Sequence, residues 1–116
     1  MKQITTPLPH GADFLPVILV TQDLDSFARE RSISLEEGED EFDSYRIARL
    51  QSESGCRFLL LHYAGADKGT FDIWLPSDVP DYRQCLREIV AELGVPAAAI
   101  VERKLTDNAF KRRTAV

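Results

Sequence analysis

The chain predicts an α+β fold: a mainly antiparallel sheet of four to five strands with a central three-strand meander and two helices, in the order β-α-β-β-β-α-β. Three observations lead there. Residues 45–75, YRIARLQSESGCRFLLLHYAGADKGTFDIWL, hold three strand-like runs separated by polar, glycine-containing breaks at 51–55 and 65–69, the second with the turn signal Asp67-Lys68-Gly69. Tyr82, Cys85, Leu86, Ile89, Val90 and Leu93 recur at helical spacing before a stop at Gly94, Val95 and Pro96. The 116 residues, 44% hydrophobic and 28% charged, suit one globular domain that buries roughly two thirds of its unfolded-chain surface without staples.

Taken in order, residues 1–16 carry three prolines and no periodicity, and read as an irregular N-terminal arm with His10 beside Gly11. Val17, Ile18, Leu19 and Val20 form a short continuous apolar run, as a strand buried on both faces would. A helix then starts at a cap, Thr21 or Asp23, with Asp23 and Asp25 at the positive end of its dipole. Its narrow apolar stripe is Leu24, Phe27 and Ala28, and it ends near Arg31 or Ser32. Residues 34–43, SLEEGEDEFD, place six carboxylates within eight positions around a glycine; their mutual repulsion predicts a mobile acidic loop, with Phe42 anchoring its far end.

Loops of about four residues, a common hairpin length, would set Ile47 opposite Leu60 and Leu60 opposite Ile73. Strand alternation then puts Tyr45, Ile47, Phe58, Leu60, His62, Phe71, Ile73 and Leu75 on a core face, with Arg49 at its edge. The other face collects Arg46, Ala48, Leu50, Leu59, Leu61, Tyr63, Thr70, Asp72 and Trp74, too apolar for plain solvent and too polar for a sealed interior. Another element covers it or it binds something. A slip of one residue in any strand would exchange that strand's faces.

The second helix follows the break at 76–80, with Pro80 in its first turn and Asp81 complementing its dipole. A return strand is expected around 99–105. Residues 106–116 form a basic tail with Phe110 as an anchor.

The net charge of −5 argues against nucleic acid or an anionic membrane as the main partner, since both need a cationic surface. No apolar run approaches the roughly 18 residues that span a bilayer, and the first residues lack the apolar core of a signal peptide, so a cytoplasmic location is expected. Cys56 and Cys85 do not make a disulfide framework and read as buried free thiols. Phosphate loops, nucleophile elbows, CxxC, HExxH and calcium-loop patterns are all absent, which points away from an enzyme without excluding an unusual site. Neither cofactor nor metal is expected: the nitrogen and sulfur donors are His10, His62, Cys56 and Cys85, and His62 and Cys56 are about 20 Å apart on one continuous strand.

Two positions stand out within the sheet. His62, with Tyr45 beside it, is a tuned titratable group lining a ligand pocket or a sheet-edge histidine hydrogen-bonded to backbone. Asp72, between Thr70 and Trp74, is either the partner of Arg46 across two strand spacings or a polar anchor in a binding surface made with Tyr63 and Trp74. The leading functional expectation is a small non-catalytic protein-binding or regulatory domain, immunity-like in kind. It would present Glu36, Glu37, Glu39, Asp40, Glu41 and Asp43, with Tyr63, Asp72 and Trp74, to a cationic protein partner. The alternatives are a small-molecule binder or enzyme with a pocket near Tyr45, His62 and Asp72, and a homodimer or larger assembly buried through the half-apolar sheet face.

Overall fold

The computed structural model describes residues 1–4, 13–41 and 43–102, the last by its backbone. Its elements are β1 (Lys2–Gln3), β2 (Phe14–Val20), α1 (Leu24–Glu30), β3 (Glu36–Glu39), β4 (Ser44–Gln51), β5 (Arg57–Tyr63), β6 (Phe71–Pro76), α2 (Tyr82–Leu93) and β7 (Ile100–Glu102). The predicted α+β order is present, with β1 and β3 added as short strands. Every pairing is antiparallel, and the sheet runs β4-β5-β6-β2-β7. The outer edge of β4 is shared: β3 pairs with its first half and β1 with its last two residues.

Both helices lie against one face of this sheet. Leu24 and Phe27 of α1, and Cys85, Ile89 and Leu93 of α2, join Val17, Ile18, Val20, Leu50, Phe58, Leu60, Phe71, Ile73 and Leu75 in a single buried cluster. Phe27 meets Phe71 with ring centroids 4.9 Å apart. Each helix starts where its sequence says it should. Asp23 caps α1 by accepting from the Ser26 N–H at 2.9 Å, and Asp81 caps α2 by accepting from the Gln84 N–H at 3.2 Å, so Pro80 sits just outside the helix. Gly94, at φ 70°, closes α2 in the left-handed conformation that glycine adopts without strain.

One expected register is wrong and one is right. Leu60 opposes Ile73, as expected, but Ile47 opposes Leu61, and Leu60 opposes Ala48. The cause is the first turn. The Ser52 N–H bonds the Cys56 carbonyl at 2.8 Å, the Ser52 hydroxyl accepts from the Cys56 N–H at 3.0 Å, and Gly55 takes φ 96°. That closes a three-residue loop with a left-handed glycine at its end, one residue shorter than the spacing expected from the sequence. Every side chain of β4 is therefore turned over. Ala48 and Leu50 join the helix-covered core, whereas Tyr45 and Ile47 pass to the opposite face.

On that opposite face Ile47, Leu59 and Leu61 form a second buried cluster, against which Phe14, Tyr45, Tyr63 and Trp74 pack. Tyr45 and Tyr63 meet edge to face at 5.8 Å. The expected partnership of Asp72 with Arg46 is overturned by the same turn-over: Asp72 alternates outward with Trp74, and Arg46 faces the helices.

Three further expectations change. The acidic run is not all loop, because Glu36–Glu39 forms β3 and pairs with β4. Cross-strand arginines relieve the repulsion that predicted a mobile segment: Arg49 pairs with Glu36, and Arg46 with Glu37 at 3.8 Å. Cys56 and Cys85 are not free thiols but a disulfide, with Cα atoms 6.2 Å apart, joining the start of β5 to α2. Disulfides are rare in reducing cytosol, so this bond and the cytoplasmic location expected from the sequence pull in opposite directions. Finally, β2 begins at Phe14 and Lys2–Gln3 already pairs with β4, so the irregular arm is shorter than 1–16. His10, Phe42, the rest of the return strand to residue 105 and the basic tail with Phe110 lie outside the described residues.

Candidate functional site: an acidic cleft between helix α1 and strand β3

The antiparallel β3–β4 ribbon lies beside the start of α1, to which Arg46 ties it through Asp25. Between them lies a cleft of about 830 Å³, walled by Asp23, Leu24 and Asp25 on one side and Glu37, Gly38 and Glu39 on the other, with Arg46 and His62 on its floor and Lys68 at its rim. Four carboxylates thus face two permanent cations. Strand alternation explains the second wall: Glu37 and Glu39 share a face of β3, and Glu37 lies directly across from Arg46.

Arg46 organises the floor. It pairs with Asp25 and reaches Glu37 at 3.8 Å, tying α1 to the ribbon. Its side chain is 47% exposed, so these pairs fix geometry more than they stabilise the fold. Asp23 stays well inside the ionised range: chiefly the backbone N–H of Ser26, and then its side chain, holds the carboxyl below its ordinary value.

His62 opposes Arg46 across β4 and β5. Its Nε2 donates to the Asp67 carbonyl at 2.9 Å, and the Thr70 hydroxyl donates to the same oxygen at 2.8 Å. The turn thus fixes the orientation of the ring. Tyr45 also lines the cleft but opposes Tyr63, not His62; a Cβ on Gly38 would stand 2.5 Å from the Tyr45 ring. Glycine at 38 is what lets that ring lie over β3.

The remaining acidic residues divide between structure and solvent. Asp40 accepts from the Tyr63 hydroxyl at 2.8 Å and from the Asp43 N–H at 3.1 Å. Asp43 in turn accepts from the Ser44 N–H at 2.8 Å and the Gly65 N–H at 2.6 Å, locking the β3–β4 turn against the β5–β6 turn. Burial, reinforced by the Asp40 carboxylate, pushes the Tyr63 phenol up to about 12. Glu41 is exposed, and Glu36 is drawn to Arg49 on the opposite face. Of the residues expected to bind, Glu37, Glu39 and His62 meet at the cleft; Tyr45 borders it, but its ring packs with Tyr63 on the opposite sheet face, where Asp72 and Trp74 also lie.

Asp23, Asp25, Arg46 and Lys68 were not foreseen as site residues. Asp25 and Arg46 are 21 positions apart, and nothing local links them. Among the described residues no group of three or more His, Cys, Asp or Glu side chains is placed to hold a metal ion, and no helix is long and apolar enough to cross a membrane.

Fold and cleft together define a small α+β protein with an acidic recess at one end of an antiparallel sheet. No family model, curated protein or solved structure matches the chain.

Proposed function

We propose that this protein is a small non-catalytic binding domain whose acidic cleft receives cationic side chains of a protein partner. One observation carries the reading: carboxylates from two separate elements, Asp23 and Asp25 before and within α1 and Glu37 and Glu39 on β3, line the same recess. Ligand cations near several carboxylates gain affinity and a faster encounter, both weakened by salt. His62 has no hydrogen-bonded nucleophile or carboxylate among the described residues, which favours recognition over catalysis.

The test is calorimetric titration of the full chain with a short lysine-rich peptide at 50 and 300 mM salt, where the Debye length falls from roughly 14 Å to about 6 Å. Glu37→Gln with Glu39→Gln should weaken binding at least tenfold and flatten its salt dependence. The pair Glu30→Gln and Glu53→Gln, with the same charge change outside the cleft, should leave it within twofold. Equal effects from both pairs would reduce the attraction to net charge and overturn the reading.

A further inference from the structure

The backbone of β3 offers more than a wall. The Asp40 N–H donates to the Asp43 carbonyl at 3.1 Å, which sets the phase of the β3–β4 ladder. Hydrogen-bonded and non-bonded pairs alternate along an antiparallel ladder. Gly38–Tyr45 and Glu36–Ile47 are therefore the bonded pairs, and Glu37–Arg46 and Glu39–Ser44 the non-bonded ones. Two more bonds agree with this phase: on the far edge of β4 the Ala64 N–H bonds the Ser44 carbonyl at 2.9 Å, and on the edge shared by β1 and β3 the Ile4 N–H bonds the Arg49 carbonyl at 2.8 Å. Glu37 and Glu39 consequently turn their N–H and C=O groups away from β4, along an edge that no strand pairs among the described residues.

The same two residues carry the carboxylates of the cleft. We infer that β3 recognises an extended basic segment of a partner protein by strand addition: the segment hydrogen-bonds to Glu37 and Glu39 and sends every second side chain, Lys or Arg, into the cleft. The inference rests on the cationic-partner reading above and names the form that partner takes. Alternate residues of a strand are roughly 7 Å apart, so lysines two positions apart match the spacing of Glu37 and Glu39. Pairing through main-chain bonds supplies affinity and the alternate side chains supply selectivity. Charged residues on an edge usually deter pairing between like strands. Here they reject neutral and acidic strands and admit a basic one, so the deterrent acts as the filter.

The experiment uses the full chain and three synthetic ten-residue peptides: one alternating lysine and threonine, one of the same composition with lysines and threonines in consecutive pairs, and the alternating peptide N-methylated along its backbone. Affinity is measured by calorimetry and amide exchange by NMR. The alternating peptide should bind at least tenfold tighter than either control, and the amides of Glu37 and Glu39 should slow in exchange while those of Glu36 and Gly38, already bonded to β4, stay unchanged. If the N-methylated peptide binds as well as its parent, or the Glu37 and Glu39 amides are unaffected at saturation, strand addition is wrong. In that case continued weakening by Glu37→Gln with Glu39→Gln would leave the cationic cleft standing; absence of that weakening would remove both.

Discussion

The guanidinium Nε of Arg31 donates to the main-chain carbonyl of Leu93 at 2.6 Å, joining the C-terminal ends of the two helices. Its NH1 donates to the Phe27 carbonyl at 3.2 Å, and the group sits 3.6 Å from the centre of the Phe27 ring. A single cation thus serves two helix ends, where the dipole favours it, and covers a core aromatic. Arg31→Met should cost about 2–3 kcal/mol, since it leaves the Leu93 carbonyl without its charged donor. Arg31→Lys should recover less than half of that, because a point charge cannot replace the planar fork. Urea unfolding of the two variants measures both.

The Cys56–Cys85 bond spans 29 residues of sequence. Closing a loop of that length in the unfolded chain stabilises the fold by about 3–4 kcal/mol on the chain-entropy account. Cys56→Ser with Cys85→Ser should lower stability by that amount, and adding a dithiol reductant should move the parent, but not the variant, to the same midpoint. Retained core contacts of Ile89 and Leu93 should keep the variant folded.

Tyr63 reports on the clasp between the two turns. Its folded value, about 12, lies above the ordinary 10.0, mainly through burial and then through Asp40. The protonated phenol is therefore the form that the fold favours. Its contribution is complete below pH 10 and is lost as the pH rises towards 12. Tyr63→Phe should cost about 1 kcal/mol at neutral pH and remove this part of the alkaline decline, seen as a flatter melting-temperature profile above pH 10.

Arg46 separates stability from binding. Both of its ion pairs are solvent-accessible, so Arg46→Gln should change the unfolding free energy by less than about 1 kcal/mol. It also removes a cation from the cleft floor. Affinity for a lysine-rich peptide should rise severalfold, the reverse of the effect of neutralising Glu37 and Glu39, and titration at low salt reads the difference.

Gly55 carries the turn that sets the β4 register. Gly55→Val forces a branched side chain into φ 96° and should cost more than about 1 kcal/mol, with chemical-shift changes concentrated along β4 and β5. A substitution at Gly69, which has open space around it, should be mild by comparison.

The sequence by itself determined the elements whose cues are local. Asp23 and Asp81 cap helices through bonds three residues away, Gly94 ends α2, and the period of Cys85, Ile89 and Leu93 names its buried face. The alternation of Phe71, Ile73 and Leu75 likewise marked β6, and the register assumed for the second hairpin placed Leu60 against Ile73, although the connection itself runs from residue 64 to 70. What only the tertiary structure decided depends on partners far along the chain. The faces of β4 turned on one residue of loop length, set by Ser52 and Gly55, and with them the fate of Tyr45, Ile47 and Arg46. The acidic run became a strand because β4 supplied Arg46 and Arg49 opposite it, and a cleft because α1 brought Asp23 and Asp25 alongside. Charge repulsion is visible in a string of letters, whereas the cations that relieve it are placed by folding.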